Sequence, residues 1–477
     1  MKYYFSRYFL SYPRVLLYML QDTEYKLVPY LAWVHRTDDF RLVIKRRKLV
    51  LTKKVQLLLA TLRLFSFVLF VAVTAAVIYG IATQNGWWIA GGVVLALIAP
   101  FVLSHGLLLP LYIGYILIQK PQERRIIRKA RKVLNEHPGV RIVVAGSYGK
   151  TTAKETLLSV TGAGMKTAAT PGNMNTAIGI SRFAMKLKGD EEVLIFELGE
   201  EREDDIRPLA ELVQPDIALV TGINEAHLVS FKSLNRTAAT ILAVADFVKP
   251  EDLYLNGESS LVRKYKQPGG QLFSQKGVGG WKVTNASTAI TGTKFTLTKG
   301  EQKIRASTGL IGLHTVGVTV AAAVIATKLG VPIKKIEEGL KNVKAFEHRM
   351  EPRLFHGAWL IDDTYNGNSD GVKAGLAFLK EQKAKRRIYV TPGLVEQGDK
   401  TQEVHEKIGE YIAESADVVV LMNNSVTGYI MNGLDRKKFE GQLIIEDDPL
   451  FFYTNLDQFV AAGDVVLMQN DWTDNYR

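Results

Sequence analysis

The feature that most constrains the fold is a long apolar segment near the N-terminus. From Leu64 to Ile118 the chain contains no Lys, Arg, Asp or Glu, whereas a bilayer core needs only about 20 apolar residues per spanning helix. The sequence Thr83-Gln84-Asn85-Gly86 interrupts the segment and is typical of a short turn. We therefore predict a transmembrane helical hairpin over residues 64–118.

Basic residues concentrate on both sides of this segment, as in Lys45-Arg46-Arg47-Lys48 before it and Arg124-Arg125 after it. The formal net charge of +12 is therefore carried by these flanks, a pattern that favours anionic lipid headgroups over nucleic acid. Because cytosolic loops are enriched in Lys and Arg, we expect both flanks in the cytosol. The prediction is a multi-pass protein of the cytoplasmic membrane, with the lipid bilayer as a partner, no nucleic acid partner, and its remaining domains cytosolic.

Residues 1–63 mix aromatic and basic side chains without an uninterrupted span. Two interpretations stay open: interfacial amphipathic helices on the cytosolic leaflet, or an ordinary packed helical cap on the hairpin. Residues 119–139 are interpreted as a basic juxtamembrane helix. The chain contains no cysteine, which excludes disulfides, thiolate metal sites and cysteine nucleophiles.

A phosphate-binding loop is indicated directly after these segments. The β-branched run Arg141–Ala145 is typical of a buried strand, and it leads into Gly146-Ser147-Tyr148-Gly149-Lys150-Thr151-Thr152. The two glycines let backbone N–H groups point at phosphate oxygens where a helix begins. The Lys150 ammonium is suited to β- and γ-phosphates, and the Thr151 hydroxyl to Mg²⁺.

Two further polar residues follow predicted strands. Glu197 ends the strand Val193–Phe196, and His227 follows the strand Asp216–Val220. Ligands bind at the carboxyl ends of parallel strands, so Glu197 is predicted to bind Mg²⁺ and His227 a second metal.

An ordered set of motifs resembles the Mur ligase family, in particular the branch that joins D-alanyl-D-alanine to a UDP-muramoyl-tripeptide. The matching segments are the phosphate loop, Thr170–Gly179 as an Asn-rich loop, Glu197-Leu198-Gly199, Ala226-His227-Leu228, Gly312-Leu313-His314, His348-Arg349-Met350 and Asp362–Asn368. The resemblance spans roughly residues 140 to 470. It implies an ATP-dependent amide ligase of cell-wall precursor synthesis that works through an acyl phosphate, with ATP and Mg²⁺ as cofactors.

The resemblance also implies roles for individual residues. The catalytic set is Lys150, Glu197, His227 and Arg349, and the metal set is Thr151, Glu197 and His227. The nucleotide set is Gly146, Ser147, Tyr148, Gly149, Lys150, Thr151, Thr152, Arg349, Asp363 and Asn366. Asn173 and Asn175 are implied to lie near the substrate, which is a cell-wall precursor together with an amino acid or dipeptide.

The predicted fold class is α/β. The transmembrane hairpin is followed by a Mur-ligase central ATP-binding domain over residues 140–347, with a small antiparallel insert between Gly280 and Arg305. A C-terminal domain over residues 348–477 is predicted to be Rossmann-like, because its apolar strands alternate with helical stretches.

Four departures from the family pattern affect the functional expectation. Ile241 and Ala243 stand where the family usually presents Lys-x-Glu, whose lysine is carbamylated in several members. Thr315 stands where the family usually has Asn, and Met468-Gln469-Asn470-Asp471 stands in place of Lys-Gly-Ser. The family's N-terminal UDP-sugar domain has no counterpart, and the apolar hairpin takes its place in the chain.

Several functions remain open at this point. The chain is expected to be a ligase that adds an amino acid or D-Ala-D-Ala to a muramoyl-peptide precursor, or a ligase acting on a lipid-linked precursor. Ile241 and Ala243 leave open a catalytically impaired nucleotide-binding membrane scaffold. A glutamate-adding ligase for a folate-like or polymeric substrate is disfavoured by Tyr365–Asn368.

Overall fold

A computed structural model describes residues 4–23, 25–41, 43, 49–106, 108–224, 231, 233–266, 268–365, 367–394 and 397–470. The chain divides into two units, Met1–Arg125 and Ile126–Arg477. Each unit is described by itself.

The first unit is helical. Its helices are α1 (Tyr12–Asp22), α2 (Leu27–Arg36), α3 (Lys53–Ala82), α4 (Gly86–Gly106) and α5 (Leu108–Gly114), with a 3₁₀ turn at Tyr4–Arg7 and a π-helical stretch at Tyr115–Gln119. Helix α6 (Lys120–Glu136) begins in this unit and ends in the second.

Helices α3 and α4 form a helical hairpin, joined by a tight turn in which Gln84 has a φ of +49°. The two helices approach closely because small residues face their partner. A Cβ on Gly80 would lie 2.7 Å from Ile89 Cγ1, and one on Gly92 would lie 2.8 Å from Val77 Cγ2. The segments Lys53–Ala82 and Gly86–Glu136 are long and apolar enough to cross a bilayer by length and composition.

Helices α1 and α2 are packed into the core of the first unit. Helix α1 buries most of its apolar side chains, including Leu16 and Leu20. The Tyr30 hydroxyl donates to the backbone oxygen of Ser104 at 3.2 Å, and the Tyr12 ring packs edge-on against Phe40. Helices α1 and α2 therefore pack against other helices of this unit, and both interpretations of residues 1–63 stay predictions.

The second unit contains a six-stranded, all-parallel sheet in the order β2-β3-β1-β4-β5-β6. Its strands are β1 (Val140–Ala145), β2 (Thr167–Ala169), β3 (Val193–Glu197), β4 (Ile217–Val220), β5 (Leu253–Asn256) and β6 (Gln271–Phe273). The helices around it are α7 (Lys150–Gly162), α8 (Ala177–Ala184), α9 (Ile206–Val213), α10 (Leu234–Leu242), α11 (Ser260–Tyr265), α12 (His314–Lys328) and α13 (Ile333–Asn342).

The side chains of strand β1 are buried on both faces of this sheet. Ile142 and Val144 contribute to the core that includes α7 and α12, while Val143 and Ala145 contribute to the core that includes α6 and α9. Alternate side chains of a strand point to opposite faces, so helices on both sides require a continuous apolar run. The β-branched sequence of β1 meets that requirement.

A separate antiparallel sheet in the order β10-β9-β8-β7 confirms the predicted insert. Its strands are β7 (Gly277–Val278), β8 (Trp281–Ala289), β9 (Gly292–Lys299) and β10 (Gln302–Thr308). Side chains of β9 alternate between buried and more exposed positions, as expected for a sheet with one face on the core.

The C-terminal sheet has the order β11-β12-β16-β13-β14-β15. Its strands are β11 (Glu351–Phe355), β12 (Ala358–Asp363), β13 (Arg387–Thr391), β14 (Val418–Met422), β15 (Gln442–Glu446) and β16 (Val465–Gln469). Five strands are parallel, and the edge strand β11 pairs antiparallel with β12. The helices are α14 (Ser369–Lys380), α15 (Thr401–Ala413), α16 (Thr427–Arg436), α17 (Pro449–Thr454) and α18 (Leu456–Phe459).

Candidate active site

The phosphate loop lies between β1 and α7, at the carboxyl edge of the central sheet. Gly146 and Gly149 have φ values of +143° and +72°, and a Cβ on Gly146 would lie 2.3 Å from Thr221 Oγ1. Both positions therefore need glycine, Gly146 for space as well as conformation. The N–H of Ser147 donates to the Gly222 oxygen at 2.9 Å, and the Thr221 hydroxyl donates to the Tyr148 oxygen.

Tyr148 closes one side of the loop against the neighbouring strand end. A Cβ added to Gly222 would lie 2.1 Å from Tyr148 Cζ, so the ring fills the space that a side chain there would need. Burial raises the pKa of Tyr148, with a further contribution from the Asp370 carboxylate. Because Asp370 belongs to α14, the N-terminus of that helix lies near the phosphate loop.

The Lys150 side chain is held by two acceptors. Its Nζ donates to the Gly146 oxygen at 2.5 Å and to Glu200 Oε1 at 2.8 Å. Thr151 is buried in the first turn of α7, and Thr152 follows it. Lys150, Thr151 and Thr152 thus lie at one helix N-terminus, where N–H groups and the helix dipole favour anions.

Glu197 lies beside this loop because β3 pairs with β1 in a register that sets Val144 opposite Glu197. Its carboxylate is buried. Asn175 Nδ2 donates to its Oε1 at 3.2 Å, while Oε2 accepts no hydrogen bond within the described residues. A buried carboxylate oxygen that accepts no hydrogen bond and lies next to a phosphate loop fits a Mg²⁺ ligand, since Mg²⁺ prefers oxygen donors.

The two predicted substrate residues lie on the loop before α8, but in different environments. The Asn175 side chain contacts Glu197, and the Asn175 oxygen accepts from the Gly199 N–H at 2.9 Å. Asn173 is exposed. The structure therefore brings Asn175 to the carboxylate and leaves Asn173 facing solvent.

Arg349 reaches this region from the start of the C-terminal domain. Its guanidinium lies 4.6 Å from the centroid of the Tyr365 ring. Burial lowers the pKa of Arg349, and the negative charges of Glu197 and Asp363 oppose that shift. A residue remote in sequence from Glu197 is thus close enough to interact with it electrostatically.

The residues on either side of Arg349 are fixed by the end of β12. His348 and Met350 have φ values of +60° and +48°. Asp362 Oδ2 is 2.8 Å from His348 Nδ1, and Asp363 Oδ1 accepts from the Met350 N–H at 3.1 Å. A positive φ is energetically costly for residues other than glycine. The contacts of the two aspartates therefore help to hold the backbone on either side of Arg349.

Asp363 is itself enclosed at this strand end. Burial raises its pKa to about 6, although the Gln469 amide, the Met350 N–H and Arg349 act in the opposite direction. Gln469 Nε2 donates to Asp363 Oδ2 at 2.7 Å. Gln469 is one of the residues that depart from the family pattern, and it contacts a predicted nucleotide residue.

Two predicted site residues, His227 and Asn366, lie outside the described residues. Ile241 and Ala243, which replace Lys-x-Glu, are described: Ile241 is fully buried in the apolar core on one face of the central sheet, and Ala243 follows α10. Neither side chain offers a metal ligand. No group of three or more His, Asp or Glu suited to a metal occurs among the described residues.

The sequence reasoning missed two charged residues that the structure adds to the site, Lys154 and Glu200. Lys154 is completely buried, with its Nζ 2.6 Å from the Gly172 oxygen and 3.6 Å from Glu197 Oε2. Its position one helical turn after Lys150 is the signal that reveals it, because residues four apart share a helix face. Glu200 follows Glu197 by three residues, and no motif singled it out.

Comparison with known proteins agrees with the motifs. Residues 144–326 match the Mur ligase middle domain, and residues 348–469 match the Mur ligase glutamate ligase domain. The UDP-N-acetylmuramoyl-tripeptide–D-alanyl-D-alanine ligase of Buchnera aphidicola is 28% identical over 317 residues, covering 63% of this chain and 70% of the relative. The Escherichia coli enzyme of the same name is 27% identical, covering 58% and 63%.

Solved structures share the fold. MurF from Acinetobacter baumannii superimposes with a TM-score of 0.65 at 21% identity, covering 74% of this chain and 78% of that one. MurF from Thermotoga maritima in complex with ADP gives a TM-score of 0.62 at 24% identity, covering 73% and 80%. At these identities the likeness establishes the fold.

The comparisons correct one prediction. The expected location, a multi-pass protein of the cytoplasmic membrane, is wrong, because the matching MurF-type relatives are soluble cytoplasmic enzymes. Length and apolar composition identify α3 and α4 as helices that could span a bilayer. The same properties also occur in helices that do not cross a membrane, so they give no multi-pass topology.

Two Mur ligase domains therefore account for most of the chain, in the order that the motifs predict. Relatives named as ligases and a MurF structure that binds ADP match the same region. The chain belongs to the Mur ligase family of ATP- and Mg²⁺-dependent ligases in peptidoglycan precursor synthesis.

Proposed function

We propose that this chain joins an amino acid or a dipeptide, D-alanyl-D-alanine in the first instance, to the peptide of a muramoyl-tripeptide precursor. The observation that carries the proposal is the convergence of Lys150, Glu197 and Arg349 from three separate parts of the sequence. The names of the relatives support this choice of substrates.

The reaction has two steps in this proposal. A carboxylate oxygen of the precursor attacks the γ-phosphorus of ATP, the bond to the bridging oxygen breaks, and ADP leaves. The amine of the incoming residue then attacks the acyl phosphate carbon, inorganic phosphate leaves, and the amine loses a proton. Both steps concentrate negative charge on phosphoryl oxygens, so catalysis depends mainly on positioning and on nearby cations.

In this proposal the described residues would meet those requirements. Backbone N–H groups of the loop from Gly146 to Thr152, with Ser147 and Tyr148 between its glycines, would bind the phosphates. Lys150 would contact the terminal phosphates, and Arg349 would approach the same charge from the C-terminal domain. Thr151 and Glu197 would hold Mg²⁺, which supplies charge neutralisation at the phosphates when bound.

The remaining assignments complete the proposal. Asp363 and Asn366 would contact the nucleotide, and Asn175, with Asn173 nearby on its loop, would lie towards the precursor. His227 would supply a further metal ligand. Ile241 and Ala243 favour a second candidate, a protein that binds nucleotide without catalysing ligation, because they offer no carboxylate at the position of the family's carbamylated lysine.

Product analysis separates the two candidates. Purified protein is incubated with ATP, Mg²⁺, D-alanyl-D-alanine and either a UDP-linked or a lipid-linked muramoyl-tripeptide, and the products are weighed by mass spectrometry. We expect a mass increase of one dipeptide minus water, together with ADP and phosphate. Comparing the product formed from each precursor shows whether the enzyme uses the soluble or the lipid-linked form.

The matched variants are Lys150→Ala and Lys166→Ala. Lys166 is half-exposed and pairs with Asp190, so its removal changes the same charge away from the phosphate loop. We expect Lys150→Ala to abolish product and Lys166→Ala to retain it. Nucleotide binding without product in the wild-type protein would establish the second candidate instead, and undiminished product from Lys150→Ala would refute the role of Lys150.

A further inference from the structure

A buried carboxylate contacts the phosphate-loop lysine. Glu200 Oε1 accepts a hydrogen bond from Lys150 Nζ at 2.8 Å, and the Glu200 side chain is only 2% exposed, against 15% for Lys150. Glu200 lies in the segment that follows β3, three residues after Glu197. A negative charge is therefore fixed next to the ammonium that binds phosphate in a loop of this kind.

The contact with Glu200 limits the number of Lys150 N–H groups that remain for a phosphate. An ammonium group has three N–H donors, and the Gly146 oxygen and Glu200 accept two of them in this structure. A phosphate oxygen that contacts Lys150 must use the third donor or displace one of these two acceptors. In either case it approaches a carboxylate in a poorly solvated place, where repulsion between like charges is screened less than at the surface.

Two lysines and two glutamates beside the loop form pairs of opposite charge. Helix α7 presents Lys150 and Lys154 one turn apart, and the segment that ends β3 presents Glu197 and Glu200. Lys150 pairs with Glu200, and Lys154 lies 3.6 Å from Glu197. A free nucleotide triphosphate would add several negative charges to this neutral arrangement, whereas a metal-bound nucleotide brings two positive charges with it.

We propose that Glu200 is a specificity-determining residue that makes this site discriminate against metal-free nucleotide. Repulsion from its carboxylate weakens binding of the free triphosphate, and a divalent cation offsets that repulsion when it arrives with the nucleotide. This inference rests on the proposed nucleotide site at Lys150. It differs from a metal-ligand role, in which loss of the carboxylate would weaken metal-bound nucleotide most.

The test compares nucleotide binding with and without metal. Isothermal titration calorimetry measures the Kd of a non-hydrolysable ATP analogue, once in excess EDTA and once in Mg²⁺, for the wild-type protein, Glu200→Gln and Glu203→Gln. Glutamine keeps the size of the side chain and can still accept a hydrogen bond from Lys150. Glu203 lies in the same segment but pairs with Arg236 at the surface, so its substitution removes the same charge elsewhere.

For Glu200→Gln we expect the Kd in EDTA to fall about tenfold, since one unscreened like-charge contact is removed, while the Kd in Mg²⁺ changes less than threefold. Glu203→Gln should leave both values unchanged. Glu200→Asp, which retains the charge, should keep the wild-type ratio of the two Kd values, and thermal unfolding checks that each variant is folded.

Three results would overturn the inference. An unchanged Kd in EDTA for folded Glu200→Gln would show that the carboxylate does not oppose the nucleotide. If Glu200→Gln weakened binding of the ATP analogue in Mg²⁺ but not in EDTA, Glu200 would instead be a ligand of the metal. Failure of the wild-type protein to bind nucleotide in either condition would remove the proposed nucleotide site itself, an outcome distinct from the first two.

Discussion

Replacing the buried lysine of α7 tests the electrostatic design of the site most directly. In Lys154→Met the ammonium disappears while most of the side-chain volume remains. Gly172 and Glu155 are solvent-accessible, so water can replace their contacts with Lys154. The cost therefore arises at Glu197, whose side chain is only 3% exposed and whose Oε2 lies 3.6 Å from the lost ammonium.

The magnitude follows from leaving one buried carboxylate without its cation. Removing one partner of a buried ion pair typically costs about 3–5 kcal/mol. The lower end applies here, because the separation exceeds a hydrogen bond and Arg349 also attracts Glu197. We expect the free energy of unfolding of Lys154→Met to fall by about 3 kcal/mol.

The assay is urea denaturation followed by circular dichroism, in EDTA so that no divalent cation replaces the lysine. The double variant Lys154→Met/Glu197→Gln should recover most of the loss, because no buried charge then lacks a partner. Lys166→Met serves as the surface control. A Lys154→Met variant within about 1 kcal/mol of wild type, or a double variant no more stable than the single one, would refute the reasoning.

Three further outcomes are expected. Gly222→Ala would place a Cβ 2.1 Å from the Tyr148 ring, so its melting temperature and ATP affinity should both fall; normal values for both would contradict the close packing. Tyr365→Leu removes the ring 4.6 Å from the Arg349 guanidinium, so the KM for ATP should rise a few-fold in steady-state kinetics, with unchanged KM arguing against that contact. Burial raises the pKa of Asp363 to about 6, so its contribution to stability is full below the unfolded-state pKa and lost as the pH rises through 6. Asp363→Asn should therefore flatten the dependence of unfolding free energy on pH between about 4 and 6, and an unchanged slope in urea titrations would count against it.

The sequence predicted much of the fold because its strongest signals are local. The β-branched run of β1, the glycines at Gly146 and Gly149, and the alternating strands and helices of the C-terminal domain all depend on near neighbours. The short strands β2 and β6 were missed, since three residues carry too little periodicity to stand out. The antiparallel edge strand β11 was missed because its pairing depends on β12 and not on its own composition.

The sequence predicted the site residues that belong to motifs. It did not predict ion pairs between residues that are far apart in the sequence. Lys150, Glu197 and Arg349 stand in recognisable segments, and the negative charge of Glu197 acts on Arg349. The contact of Glu200 with Lys150 joins residues fifty positions apart and depends on how the segment after β3 folds back. Localisation was predicted wrongly, because apolar length alone does not distinguish a bilayer from other surroundings of a helix.

The anchoring of Arg349 has a mechanical consequence. His348 and Met350, on either side of it, are tied to Asp362 and Asp363 at the tip of one strand. The Arg349 guanidinium is thus attached to the C-terminal sheet, although under the proposed function it contacts phosphates bound at the central sheet. Any movement of that sheet relative to the central one would carry Arg349 and the Asp363 carboxylate together, so under the proposed function both of their contacts to the nucleotide would form and break at the same time.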